Sequence, residues 1–594
     1  MVKKIIRGHG GGGQQEAYKP VEAENSLQAN TIANLIDLLG EGEIGGPANN
    51  NDWYQSTYLN EVPIRNSDLS LNFQGVTLQP RVGTSSQSYL KGFNGVETTN
   101  SVGVALTITG GPVIQTITDT DVDDCKVTIS IPAMMSQADN GDLNKTTLQI
   151  AIFVTPNNGA GTKQTVVDPN GAGKIYGKCI TEYRKQYIIK NLLQYGSAPW
   201  VITVERITAD SDTAKLQNAC SWYSYTEVIN AKLMNYDRAV MGLTINGSEF
   251  GNTMPTRAYK VNGRKIKIPN NYDVETRTYD GIWDGDFTTG VSNNPAWIVY
   301  DLLTDPDVGI GLAIDEDMVD KWSLYSAAQY CDESVNAITR TKNAAGVWTD
   351  STAVEPRFSF NGVIETRTQA LEVITHMCSV FRGYPMWSAG QITFIQDRPI
   401  TSPPRPVGLS NVAEGGFSYT GIPKRDRHTV IKVSWNNPDI LGKLDVIEIE
   451  DEDGIKTFGY NEMDFAAFGC NSKSEAIRRG KYALDTDINA RESVTFSGGL
   501  EWADALPGEL IAVQDPNYAA TVLEGRVKSG TTTSLVLDKQ IVIESGVTYT
   551  MFIQTAEGDP VERELTNVAS TTDTLTWSSP LSTAPFTGAM LVLS

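Results

Sequence analysis

From about Thr31 onward, hydrophobic positions come in short runs of β-branched and aromatic residues separated by Gly, Asn and Asp. Apolar runs of strand length bounded by turn formers are the signature of strands, so the chain is expected to be mainly β. Cys125–Ile131, Thr147–Val154 and Trp200–Ile207 are the clearest runs of the first half. Asn-Gly and Ala-Gly pairs between such runs predict tight hairpins, because type I′ turns require positive φ at both central residues. Hairpins are therefore placed at Arg257–Val261, Asn262–Gly263 and Arg264–Ile268, at Arg357–Phe360 with Asn361–Gly362, and at Pro385–Trp387, Ala389–Gly390 and Gln391–Ile395. The acidic run Glu448–Asp453 closes on Gly454, and Ile455–Tyr460 is expected to return as its partner strand.

Helices are few. Leu371, Ile374, Cys378 and Phe381 recur at three or four residues, which predicts a helix over Thr368–Phe381 with one buried stripe. Met318, Trp322 and Tyr325 give similar spacing over Asp315–Tyr330, with acidic residues in the first turn, where the helix dipole favours them. Ser474–Leu484 and Thr181–Leu193 are read as two further helices.

A chain of 594 residues exceeds what one core can fill, so about three to five domains are expected. Residues 1–24 read as a flexible Gly-rich arm, through Gly8-His9-Gly10 to Gly13 and a polar stretch, expected to order only against a partner. Residues 104–225 carry their own strand series and read as an inserted β-sandwich. It separates residues 25–103 from 226–300, two parts of one β-domain. An α/β module over 301–400 and one or more β-barrel modules over 401–594 follow, joined by a linker at Thr401–Pro406.

Lys and Arg total 48 against 70 Asp and Glu, a formal charge of -22, which argues against a protein that binds nucleic acid by neutralising phosphates. The acidity fits either plain solubility or an acidic passage through which DNA slides without sticking, and composition leaves both open. The six cysteines are scattered, without a CxxC pair or nearby histidines, and read as small buried hydrophobes in a reducing compartment. No signal peptide or membrane-spanning run is expected.

Catalytic chemistry has little to build on. Of three histidines, His376 falls on the polar side of its helix, and His428 follows Lys424, Arg425 and Arg427 in a basic cluster suited to salt bridges. No G-x-S-x-G elbow, phosphate-binding G-x-x-x-x-G-K-[ST] loop or H-E-x-x-H helix occurs. Gly8, Gly10 and Gly13 formally match G-x-G-x-x-G, but no strand precedes them and no patterned helix follows. Asp119, Asp121 and Asp123, and the acidic run Glu448–Asp453, raise calcium as a possibility; the latter fails the EF-hand template, which would put Ile449 at the first ligand position and Tyr460 at the last. A pair of carboxylates able to cleave a glycoside cannot be read from spacing and stays open. No catalytic, cofactor-binding or metal-binding residue is therefore assigned.

The most specific stretch is Tyr279–Gly311, YDGIWDGDFTTGVSNNPAWIVYDLLTDPDVGIG, continued by Val319–Trp322, Gln329–Asp332, Gln396–Pro399, Asp426–His428 and Ala467–Cys470, and upstream by Gly40–Ile44, Leu216–Asn218 and Tyr223–Glu227. It resembles the lambda-type siphophage tail-tip attachment protein J family, the host-specificity proteins, in their N-terminal hub region. The motif residues Tyr279, Gly281, Trp283, Asp284, Gly285, Trp297, Asp301, Gly309, Gly311 and Trp322 look like packing and turn residues, with intramodule core favoured over subunit contact. The resemblance implies a structural virion protein at the distal tip of the tail, assembled in the host cytoplasm: a homotrimeric hub of β-barrel modules. Its partners would be the distal tail and other tail-tip proteins, the C-terminus of the tape-measure protein, and a central fibre continuing C-terminally. Phage DNA would pass through without specific binding. The rival readings are a tail-associated cell-wall glycosidase or peptidase and a carbohydrate-binding virion protein. The final residues Leu591–Ser594 read as lying inside or just after a β-module, with the fibre portion absent.

Overall fold

In the computed structural model the chain divides into two units, residues 1–262 and 263–594. The structure describes residues 18–27, 32–250, 253–338, 340–342, 348–350, 353–365, 369–400, 402–421, 423, 427–519, 523–556 and 559–594. The Gly8–Gly13 run and Lys424–Asp426 lie outside them.

The mainly β, multidomain expectation holds. In the first unit Arg238–Asn246 is the centre of an antiparallel sheet, flanked by Ile32–Glu41 and Val76–Val82. Its alternate residues Met241, Leu243 and Ile245 pack with Leu59, Ile64 and Leu78. Between Val76–Val82 and Arg238–Asn246, which are hydrogen-bonded neighbours, the chain detours through a two-sheet sandwich. One sheet runs Tyr183–Ile189, Asp124–Ile131, Cys220–Asn230, Asn94–Leu106; the other runs Gln164–Val167, Thr146–Thr155, Trp200–Arg206, Val113–Ile117. Every second side chain points inward, as the strand period requires. Ile129, Ile150, Ile152, Trp200, Ile202 and Trp222 accordingly form a dry core.

Among its described residues the second unit contains three cores. One joins Val261–Pro269 and Phe287–Val291 to three helices, Pro295–Thr304, Lys321–Asp332 and Ala370–Val380, and to the hairpin Gly383–Ser388/Gln391–Gln396. Another packs the Lys473–Asn489 helix on a sheet ordered Lys443–Glu450, Val430–Asn437, Glu462–Ala466 through Ile431, Val433, Ala476 and Leu484. The last is a six-stranded sheet spanning Glu524–Leu593, cored by Leu537, Met551, Leu575 and Leu591.

Local signals fared unevenly. The Ala389–Gly390 hairpin forms as expected, both residues at positive φ (49° and 86°). Asn262–Gly263 does not turn: both lie inside the single strand Val261–Pro269, and Arg257–Tyr259 pairs instead with Thr57–Leu59. Arg357–Phe360 with Asn361–Gly362 is not a hairpin either. Only Val354–Pro356 is strand, and the extended chain after it bonds to Asn293 and Gly469. Glu452–Phe458 is a helix, so the partner that returns is Glu462–Ala466, parallel to Val430–Asn437. Thr181–Leu193 is not helical; Tyr183–Ile189 is a strand whose Tyr187 and Ile189 face the sandwich core. Arg405–Gly408, at the end of the expected linker, is a buried strand parallel to Ile511–Gln514.

The Ala370–Val380 helix buries Ile374, Met377, Cys378 and Val380, whereas Leu371 stays exposed. Asp315–Tyr330 resolves into a turn at Glu316–Met318 and a helix from Lys321. There the Asp320 carboxylate accepts from the Trp322 and Ser323 amides, an N-cap that fixes the start. Ser474–Leu484 is confirmed within Lys473–Asn489.

Candidate functional site: the aromatic cluster around Trp283

Asn294-Pro295 begins the Pro295–Thr304 helix. Asn294 Oδ1 accepts from the Ala296 amide and proline occupies the first helical position, where its missing N–H costs nothing. That helix puts Trp297 and Tyr300 on its inner face, both fully buried. The chain then folds back under its C-terminus: the Gly309 and Gly311 amides donate to the Asp305 carbonyl (3.1 and 3.0 Å) and the Ile310 amide to the Leu302 carbonyl (2.9 Å). A Cβ at Gly309 or Gly311 would stand 2.2 Å from the Leu302 oxygen or 2.4 Å from the Thr304 oxygen, so both positions need glycine to close this cap.

Trp283 sits in the middle. It stacks on Tyr325 (4.9 Å) and meets Trp322 (5.0 Å), Phe287 (5.1 Å) and Trp297 (6.0 Å) edge to face. Its Nε1 donates to the Asp286 carbonyl (2.7 Å), which satisfies the one polar atom the buried ring carries. Gly281 (φ 64°) and Gly285 (φ 95°) bracket it. Asp284 caps that turn, its carboxyl held below the usual range by the Asp286 amide and by Asn270. Trp322, at 52 %, is the exposed member of the cluster.

Beneath the rings lies a polar clamp. Trp297 Nε1 donates to the Tyr279 hydroxyl (3.2 Å), which donates to Asp332 (2.8 Å). Asn294 (2.8 Å) and the Arg277 guanidinium (2.7 Å) complete the shell around that carboxylate. Burial pushes the Asp332 carboxyl up; Arg277, Tyr279 and Asn294 oppose the shift. Burial likewise raises the Tyr279 phenol. Asp301 faces the opposite side of its helix, paired with Arg264 and accepting from the Lys267 amide (2.9 Å). Arg264 also bridges to Asp305 (3.0 Å). Although desolvation opposes it, that carboxyl is held low by the Val308 and Asp307 amides and by Arg264.

The ten motif residues thus fall into two connected parts. Tyr279, Gly281, Trp283, Gly285, Trp297 and Trp322 meet in the aromatic cluster, with Asp284 at its turn; Asp301, Gly309 and Gly311 secure the helix behind it. Arg277, Asn294 and Asp332, which tie the parts together, were not singled out from sequence. Asn294-Pro295 carried a helix-start signal and Asp332 ends the Gln329–Asp332 stretch, whereas nothing local marks Arg277. Beside Trp322 a cleft of about 680 Å³ is lined by Lys267, Tyr300, Glu316, Asp320 and Lys321, opposite charges that largely pair with one another or with the backbone.

Among the described residues of this cluster no nucleophile and base are brought together, and Asp284, Asp301, Asp305, Asp320 and Asp332 are engaged as caps and ion-pair partners. All six cysteines are free and buried, as expected. Burial raises the thiols of all six, Cys378 to about 12 and Cys470 to about 11. His376 is exposed against Phe468, and His428 lies 3.4 Å from Asp487.

The family described as "Tip attachment protein J, FNIII-A domain" matches residues 96–231, within two residues of the sandwich strands that begin at Asn94 and end at Asn230. Residues 369–528 match a second family, described as "Putative phage tail protein". Over 572 residues, 95 % of the chain, the sequence is 32 % identical to the tip attachment protein J of Escherichia phage SECphi4. The chain is thus similar to a tip attachment protein J along nearly its whole length. The corresponding protein of Escherichia phage SECphi27 is 29 % identical over 96 % of the chain. These alignments cover 48 % and 46 % of the two relatives, so the chain spans about half the length of the tip attachment proteins J it matches.

Proposed function

We propose that this chain is the hub of a phage tail tip, a structural component with no catalytic role that assembles as a homotrimer. It closes the distal end of the tail tube, contacts neighbouring tail-tip proteins and the tape-measure C-terminus, and anchors the central fibre. The observation that carries the reading is the 32 % identity to a tip attachment protein J sustained across 95 % of the chain, through every core described above. Two features support assembly. Ile32–Glu41 is an edge strand, paired on one side with Arg238–Asn246, and its Ile32, Ile36 and Leu38 are exposed; unpaired edges and apolar patches of this kind are where chains meet. The charge of -22 suits a passage that must let DNA through without holding it.

Opening of the hub follows from receptor engagement by the fibre, which biases it between closed and open arrangements. Light scattering of the purified chain tests the assembly: the reading expects three times the 64.7 kDa chain mass, and a monomer at micromolar concentration counts against it. Cryo-EM of tails before and after receptor exposure tests the gating, which an unchanged hub lumen would exclude.

A further inference from the structure

Residues Tyr18–Leu27 lie as an extended strap across the sandwich of the first unit, and the contacts they make are those of a ligand in a site. Lys178 is completely buried, yet both partners of its ammonium come from the strap: Glu22 Oε1 at 2.5 Å and the Ala23 carbonyl at 2.9 Å. Asp142 faces the other way and accepts from the Tyr18 hydroxyl and the Val21 amide, both at 2.6 Å. Between these anchors the strap joins the edge of the small sheet Leu143–Asn144/Met135–Gln137/Leu216–Gln217. The Ala23 amide donates to the Leu143 carbonyl (2.9 Å) and the Leu143 amide to the Val21 carbonyl (3.0 Å). Further on, the Ser26 and Leu27 amides both donate to the Lys178 carbonyl (3.1 and 3.3 Å).

Main-chain addition to a sheet edge with side-chain anchors on either hand is a recurrent mode of peptide recognition. The floor is cut to fit: a Cβ at Gly177 would stand 2.7 Å from Leu27 Cγ and Ser26 Oγ, and one at Gly141 would stand 3.0 Å from Pro20 Cγ.

The strap itself is shallow. Val21 remains 64 % exposed, and of its ten residues only Ala23 and Leu27 are even partly covered. Polar anchors and Leu27, which packs against the sandwich core, hold it, and lifting it admits water to the Lys178 ammonium it covers. We propose that this groove is a peptide-binding site for an extended segment carrying a carboxylate at the position of Glu22, and that residues Tyr18–Leu27 are its resident, releasable ligand. The proposal does not rest on the tail-tip reading.

Two measurements on the full chain test it. In native hydrogen exchange, the Ala23, Ser26 and Leu27 amides are expected to exchange at least about 100-fold faster than sandwich-core amides such as that of Ile152, as local opening without unfolding requires. Equal protection would show a fixed strand and overturn the idea. In the second, a fluorescent peptide of residues 18–27 is titrated into the wild-type chain and into the chain carrying Glu22→Ala and Leu27→Ala, which loosen the strap and leave the groove intact. Binding is expected only to the variant. It should weaken at least about tenfold when the peptide carries Glu22→Gln, and vanish when the variant also carries Lys178→Met. No binding to a variant whose sandwich amides remain protected, equal binding to wild type, or indifference to Glu22→Gln would each reject the site.

Discussion

Three tryptophans of the Tyr279–Trp322 stretch look alike in sequence, but their burial predicts unequal costs of removal. Trp297 is fully enclosed and donates to Tyr279, while Trp322 is 52 % exposed and touches the cluster on one face. An aromatic side chain buries about 150–250 Å². At about 25 cal/mol per Å² this gives an upper bound of about 4–6 kcal/mol for a closed site, and measured Trp→Ala truncations in cores cost about 3–5 kcal/mol.

Trp297→Ala is therefore expected to cost about 4 kcal/mol, with the Tyr279 hydroxyl also losing a donor. Trp322→Ala loses half that area at most, leaves no sealed cavity, and forfeits one ring pair worth about 0.5–1.5 kcal/mol; about 1–2 kcal/mol is expected. The gap of about 2–3 kcal/mol corresponds to a ratio of about 30 to 150 in local opening. Because a multidomain chain has no single unfolding free energy, the assay is hydrogen exchange of peptides covering Pro295–Thr304 and Lys321–Asp332. Equal acceleration by the two substitutions, or a cost under about 1 kcal/mol for Trp297→Ala, would refute the assignment of Trp297 to the core and Trp322 to its rim.

Glu475 accepts from the Ser359 amide (3.1 Å), the Ser359 hydroxyl (2.7 Å) and Arg479 (3.0 Å), all deeply buried. Glu475→Gln should destabilise this junction by about 3–5 kcal/mol, since it leaves a buried guanidinium uncompensated; denaturation that is unchanged would show water reaching the pair. Asp332, whose folded-state value lies above its ordinary 3.8, binds its proton more tightly folded than unfolded. Protection of Lys321–Asp332 should thus decline as pH climbs from about 3.8 through that higher value, and Asp332→Asn should flatten the decline. At Gly263, in a strand with no atom within 4 Å of an added Cβ, Gly263→Thr is expected to be neutral within about 0.5 kcal/mol. Gly390→Thr, at φ 86°, should cost about 1–2 kcal/mol by the same denaturation measurement. Reversed costs would place the turn at Asn262–Gly263 after all.

The sandwich strands, the Ala370–Val380 and Lys473–Asn489 helices and the Ala389–Gly390 hairpin were legible because their signals are local. Alternation fixes which side chains face inward, capping residues fix where a helix starts, and a positive-φ pair fixes a two-residue turn. The stretch around Trp283 was singled out by its resemblance to the tip attachment proteins J, and the fold brings its rings together.

Other features depended on partners distant in sequence. Asn262–Gly263 has the composition of a turn yet runs straight, because its strand finds Phe287–Val291 and because the neighbouring Arg257–Tyr259 finds Thr57–Leu59. Tyr183–Ile189 satisfies a helical period as well as a strand period over so short a run. Hydrogen bonds to Asp124–Ile131 decided between them. Arg277 and Asp332 stand 55 residues apart, and Lys178 and Glu22 156 apart, so no window of sequence pairs them. A buried charge acquires its role only when the fold removes water from it and delivers a partner. Periodicity and turn chemistry therefore wrote the sandwich strands and the Ala389–Gly390 hairpin into the chain, while tertiary packing chose which strands pair, which ions are clamped and what lies across the sandwich.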